Sequence, residues 1–307
     1  MMNETEKGFS VKSRLKKYLK RLCILVIVVL AILTVGPKVV RFYYAKEAAA
    51  YLKENQNVVS EGRCHFSIDD TILIFEDLTE HRESYNSIFD NETLSYLKYL
   101  HETYGVVFSM YCFYEDEDFK LSQATDYFAA EFAENSSWLK FGFHGKNYST
   151  LYNETDAETA AEDYNAVITE LIRICGGENC ITKVVRLSGF QGNTESILAM
   201  AEQTDGIQGL LTADDDRGSY CLTEKQEKEV QQDTDIIVDD MEYYATDFRI
   251  ENIDDINAIE TKHANDPLWV VFTHEYYLDS NKYQWELEKV LLYLIKQNYT
   301  FTYLADE

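Results

Sequence analysis

Past residue 60 the chain switches repeatedly between two hydrophobic periods, and that alternation is what most restricts its fold. Cys64-His-Phe-Ser-Ile-Asp-Asp70 reads as a short extended run ending in acids. The spacing of Leu94, Leu97, Leu100 and Tyr104 predicts a helix over 90–104, with Gly105 as its stop. Val106–Phe113 is β-branched and aromatic, as a buried strand should be. A helix over 121–134 and a strand over 139–144 come next. The clearest helix opens on the capping box Thr155-Asp-Ala-Glu158 and turns Tyr164, Val167, Ile168, Leu171, Ile172 and Cys175 to the core. It ends at Gly176. A strand at 183–187, a helix at 194–203 and a strand at 209–212 continue the pattern. After a less regular acidic stretch, a helix at 254–263, a strand at 268–273, a helix at 281–297 and a strand at 300–304 close the chain. Short connections between such elements give parallel βα units around one sheet. In those folds the functional groups gather at the C-terminal ends of the strands.

The first 60 residues obey a different rule. Leu22–Val35 is apolar throughout, and counted to Val40 the run spans about 28 Å at about 1.5 Å per residue, close to a bilayer core. Lys12, Arg14, Lys16, Lys17, Lys20 and Arg21 precede it; Lys38, Arg41 and Lys46 follow. The heavier basic flank belongs in the cytoplasm, which puts the bulk of the chain outside. No small-x-small cleavage site follows Val35, so an uncleaved anchor is preferred to a removed signal peptide. The expected plan is a basic cytoplasmic tail at 1–21, a transmembrane signal anchor at 22–40, a juxtamembrane linker at 41–60 and one domain at 61–307.

Charge follows the same boundary. Residues 1–46 hold ten of the 28 basic residues and two of the 54 acids, leaving 18 against 52, or −34, for the remainder. That excess argues against nucleic acid as a partner, because phosphate binding needs a clustered positive field. A hydrophobic content of 46% supplies a large core and excludes wholesale disorder. In an oxidising compartment Cys175 and Cys180, with four residues between them that include Gly176-Gly177, read equally as a local disulfide or as two buried thiols.

Applied strand by strand, the strand-end rule collects chemistry. Asp69-Asp70, His144, Arg186, the run Asp214-Asp215-Asp216-Arg217 and His274 would share one rim. A carboxylate and an imidazole together suit a divalent metal. A second carboxylate beside them can take a proton from water, and an opposing histidine can protonate a leaving group. Nucleophile elbows and phosphate-binding glycine loops are absent from the sequence.

The ordered set Ser67-Ile-Asp-Asp70, Phe141-Gly-Phe-His-Gly145, Arg186-Leu-Ser188, Leu210-Leu-Thr-Ala-Asp-Asp-Asp216 and Phe272-Thr-His274 resembles the polysaccharide deacetylase family, the NodB-homology domain, over roughly residues 60–305. The resemblance implies a distorted (β/α) barrel behind the membrane helix, and a metal-dependent esterase removing N- or O-acetyl groups from a cell-wall or surface polysaccharide. It implies Asp69 as general base, Asp70 and His144 as metal ligands, Arg186 as the residue orienting the base and His274 as general acid. The implied cofactor is a weakly held divalent ion, zinc first among the candidates. Two departures stand out: Tyr148 occupies the place of a second metal-binding histidine, and Leu187-Ser188 follows Arg186 where the family has Pro and Gly. A glycan-binding or scaffolding module on the same barrel, its metal site lost, is the alternative.

Overall fold

The computed structural model describes residues 4–55, 58, 60, 62–253, 262, 263 and 266–305, the side chains of 4–15 and 30–34 excepted. Helix α1 (Glu4–Glu54) is continuous through Pro37. Then come β1 (Gly62–Thr71), α2 (Leu73–Glu80), α3 (Glu92–Tyr104), β2 (Phe108–Phe113), the short β3 (Glu115–Asp116) and β4 (Phe119–Lys120), α4 (Ala129–Glu134) and β5 (Leu139–Gly145). Next are α5 (Ala157–Cys175), β6 (Val184–Val185), α6 (Thr194–Ala201), β7 (Gly209–Leu211) and α7 (Glu224–Val230). The last elements are β8 (Ile236–Val238), β9 (Met241–Tyr244), β10 (Phe248–Arg249), β11 (Leu268–His274), α8 (Asn281–Lys296) and β12 (Tyr299–Phe301).

Strands β10-β11-β1-β2-β5 form a parallel sheet, with β12 added beside the start of β1. A second sheet, β6-β7-β9-β8, is parallel except for β8. A bridge between Phe141 and Ile181 joins one pair of edges, and the step from β9 to β10 joins the other, where the Asp247 amide donates to Val270. The result is an α/β fold, a distorted barrel around a parallel central sheet. Phe66, Phe108, Phe141 and Phe143 fill its core at no measurable exposure, because strands covered on both faces must be apolar along their whole length.

Several local expectations shift for identifiable reasons. Leu94, Leu97, Leu100 and Tyr104 are buried on α3, and Gly105 ends it in the left-handed conformation, φ 74°. The segment 121–134 is not one helix but a turn at Leu121–Gln123 followed by α4. Between them the Thr125 amide donates to Thr79 and the Tyr127 amide to the Thr125 hydroxyl, side-chain bonds that compete with the helical ladder. Helix α5 is capped by Asp156, which accepts from the Thr159 amide at 2.9 Å, rather than by a box begun at Thr155. Cys175 and Cys180 are buried free thiols, the Cys180 thiol donating to the Cys175 carbonyl at 2.9 Å. The helix expected at 254–263 falls almost wholly outside the described residues.

Among the described residues no helix is long and apolar enough to cross a membrane; the side chains of 30–34, inside the expected span, lie outside that description. Residues 41–54, expected as linker, are the end of α1 and pack on α8. Arg41 bonds Glu288 and, at 2.5 Å, Gln284; Trp285 donates to the Tyr44 hydroxyl at 3.0 Å. Further along, Lys296 pairs with Glu47 at 2.6 Å and Tyr51 donates to Asn298 at 2.9 Å. Ala48 between them is fully buried.

Candidate active site

In the parallel register of β1 and β11, Asp69 lies directly beside His274. Successive strand residues normally face opposite ways, so Asp69 and Asp70 should not serve the same cavity. The β1–β2 register breaks between Ile68 and Thr71, and Asp70 adopts φ 57°. That irregularity turns both carboxylates toward a mouth of about 380 Å³, which His144, Arg186 and His274 also line.

Asp69 is 2% exposed, and its two oxygens accept from Arg186 Nη1 at 3.0 and 3.2 Å. The same nitrogen reaches the Ser67 hydroxyl at 3.0 Å, while Nη2 reaches Thr246 at 3.3 Å. The guanidinium lies 3.9 Å over the ring of Phe272, so charge and stacking together hold it still. Arg186→Met should destabilise the fold by about 3–5 kcal/mol, because it strands a buried carboxylate. A stability loss below about 1 kcal/mol, read from urea unfolding, would show that the fold does not depend on this ion pair.

His144 presents a different pairing. Its Nδ1 is 2.6 Å from the Arg186 carbonyl, which only accepts, so Nδ1 carries the proton. In a neutral ring Nε2 is then a lone pair facing Asp70 Oδ1 at 3.0 Å. Two acceptors meet at that distance only with a positive charge between or upon them. A second proton on the ring satisfies the requirement, and so does a divalent cation, whose histidine ligands characteristically give their other N–H to a carbonyl. Ligand atoms about 2.0–2.1 Å from a tetrahedral ion stand roughly 3.3 Å apart, close to the separation here. Asp70 and His144 therefore fit a metal, as two protein ligands. Burial raises the Asp70 pKa, but the His144 hydrogen bond and the charges of His144 and His274 outweigh it and leave the carboxyl below its ordinary value.

His274 Nδ1 is held by Glu251, whose other oxygen accepts from Thr273 at 2.9 Å. The free Nε2 stands 4.0 Å from Asp70 Oδ2. Burial lowers the His274 pKa, yet the Glu251 hydrogen bond and the charges of Asp69, Glu251 and Asp70 more than reverse this, and the net shift is upward. Tyr276 stacks on the imidazole, centroids 5.2 Å apart at 26°. Next in sequence, Glu275 turns away from the mouth and accepts from the amides of Ile72, Leu73 and Ile74 at 2.8–2.9 Å, fixing the start of α2 to the end of β11. Full burial pushes its pKa up to about 7.

All five residues proposed from sequence thus meet at one strand-end cavity. The acids of 214–216 behave differently. Asp214 is bound by Arg249 at 2.6 and 2.8 Å, and Asp215 pairs with Arg217 at 2.8 Å, so these acids neutralise the arginines flanking the mouth. Tyr148 lines the cavity but is 76% exposed. Glu251 was missed, for it sits in a stretch with no usable period. Also unforeseen is a group at the other end of the barrel, where Asp233, Asp247, His263 and Asp266 bring ligand atoms within 4.8 Å of one another. His263 Nδ1 lies 2.8 Å from both Asp247 and Asp266.

No family model matches the chain, and no curated protein does. Solved structures do. A family 4 acetyl xylan esterase from Clostridium thermocellum, in complex with a cobalt ion, is 13% identical with a TM-score of 0.43, covering 78% of this chain and 86% of its own. The catalytic domain of a peptidoglycan N-acetylglucosamine deacetylase from Eubacterium rectale is also 13% identical, with a TM-score of 0.42, covering 81% of this chain and 91% of its own. The chain is similar to carbohydrate deacetylases. The likeness is distant, and the site geometry carries the reading that follows.

Proposed function

We propose that this chain is a membrane-anchored, extracytoplasmic carbohydrate deacetylase, dependent on a divalent metal and acting on acetyl groups of a cell-wall or surface glycan. The observation that carries the reading is the meeting, in one cavity, of a carboxylate clamped by an arginine, a carboxylate–imidazole pair that requires a positive charge, and a second imidazole bound to Glu251. Asp70 and His144 would hold the ion, with His274 or water completing the shell; zinc is the first candidate. Such an ion supplies a Lewis acid for the acetyl carbonyl and lowers the pKa of water at the site.

The chain's own groups do the rest. Asp69, oriented by Arg186, removes a proton from the attacking water. His274 presents Nε2 to the cavity with Nδ1 committed to Glu251, and delivers a proton to the departing amine or alcohol. Tyr148 and Tyr276 offer ring faces at the mouth on which a sugar can stack. Anchoring is supported by the apolar run Leu22–Val35, and its orientation by the unequal basic flanks.

Acetate release from acetylated chito-oligosaccharides, run beside calorimetric titration with zinc, tests the proposal. The exposed Tyr148 at a ligand position favours one competing reading, a binding module. A protein that neither binds zinc nor releases acetate, yet is retained by immobilised glycan, is that module.

The pH profile gives a second check. An acid catalyst works while protonated, and the His274 pKa is raised, so the alkaline limb of the activity profile should lie above that expected for an ordinary histidine. Glu251→Gln removes the main support for that shift and should move the alkaline limb toward lower pH. An unmoved limb would take His274 out of the acid role.

A further inference from the structure

The direction of α1 relative to the barrel has a consequence for substrate. Along α1, Arg41 meets Gln284 and Glu288, Tyr44 meets Trp285, Glu47 meets Lys296, and Tyr51 meets Asn298. The two helices therefore run parallel. Helix α8 starts just after His274, at the strand ends that carry the active site, and finishes beside β12, which pairs with Gly62 at the start of β1. So α1 also descends from the rim of the catalytic mouth to the base of the barrel. Its earlier residues project beyond the rim, on the side to which the mouth opens. Asn281, the first residue of α8, is level with a point about one turn before Arg41, near Pro37 and Lys38. The apolar run ends at Val35, within roughly 5 Å of that level.

We propose that the catalytic mouth faces the membrane surface and that the substrate is a glycan carried on a membrane lipid, not polymer farther out in the wall. The inference rests on the anchored-deacetylase reading above. The rim has the surface this placement requires. Phe42 and Tyr43 are 66% and 58% exposed on α1 just past the apolar run, and Tyr148 and Tyr276 are 76% and 49% exposed at the mouth. Aromatic side chains of this kind settle at the headgroup level of a bilayer. Exposed Lys38 lies at the same level and can meet lipid phosphates. The packed stretch 41–54 leaves no slack through which the domain could swing away. A soluble glycan gains nothing from this arrangement, whereas a lipid-borne one is held at the mouth at high effective concentration.

The test uses the full chain in lipid vesicles, with the exposed Cys23 and Cys221 replaced by alanine. A fluorophore is placed through Tyr148→Cys at the rim or Ile237→Cys at the base, where Ile237 pairs with Glu242 near the start of β9. Lipids carrying a headgroup nitroxide should quench the rim label several-fold more than the base label. Equal quenching, or stronger quenching at the base, overturns the orientation. A chain that does not float with the vesicles overturns the anchoring on which the inference stands, and is recognised by that alone. In the second arm, which uses the unlabelled parent chain, N-acetylchitotriose tethered to a lipid in the vesicles should be deacetylated at least about tenfold faster than the free trisaccharide. Equal rates overturn the substrate assignment. Acetate from neither, with rim quenching intact, overturns the deacetylase reading and leaves the orientation standing.

Discussion

Asp70→Ala should lose divalent-ion binding and acetate release together, whereas Asp69→Asn should keep the ion and lose about 100-fold or more in rate. The contrast follows from what each carboxylate touches. Asp70 Oδ1 faces the Nε2 lone pair of His144 at 3.0 Å, and without it one imidazole is left to hold the metal. A single histidine is far short of the three protein ligands usual at a catalytic zinc site. Asp69 is bound to Arg186, and its amide analogue keeps the shape while losing the ability to accept a proton from water. His274→Ala discriminates further. Nδ1 is bound to Glu251 and Nε2 stands 4.0 Å from Asp70, so under the proposed acid role the loss of His274 should resemble Asp69→Asn. If ion affinity falls as it does in Asp70→Ala, His274 is instead the missing ligand. An Asp70→Ala protein that still binds zinc as tightly as the parent would remove the metal assignment altogether.

The elements that sequence placed well are those whose period is set by burial on the barrel. β1, β2, β5 and β11 are apolar because both faces are covered, and α3 and α5 carry one buried stripe each. The ends of β1, β5 and β11, with that of the two-residue β6, delivered Asp69, Asp70, His144, His274 and Arg186 to one rim. What escaped was settled by single contacts, which leave no period. Glu251 acts because the chain after β10 brings it beneath His274. Glu275 reads as part of the rim, but three amides at the start of α2 claim its carboxylate. The turn of Asp70 into the mouth depends on a register break that a neighbouring strand imposes. Residues 41–60 read as a juxtamembrane linker, yet over 41–54 the chain is helix and Arg41 and Glu47 find partners on α8.

That docking sets the second large effect. Glu288 is fully buried on α8, where it bonds Arg41 from α1 and accepts from the hydroxyls of Tyr99 and Tyr104 at 3.0 Å and of Tyr96 at 3.4 Å, all on α3. Burial first, and then the carboxylate's charge, push the Tyr99 phenol up to about 12, so these hydroxyls are protonated donors throughout the physiological range. Arg41 also lies 5.0 Å over the ring of Tyr96. Glu288→Ala removes the one acceptor that three helices share and leaves a part-buried guanidinium without its counter-charge. The expected loss is about 3–5 kcal/mol, read as a lowered urea midpoint. Glu288→Gln keeps an acceptor and should cost less. The double variant Arg41→Leu with Glu288→Leu should recover only the share due to the unpaired guanidinium, because the three tyrosine hydroxyls still lack their acceptor. Were Glu288→Ala as stable as the parent, α1 would be only loosely seated on the barrel, and the fixed direction in which it leaves the rim would lose its mechanical basis.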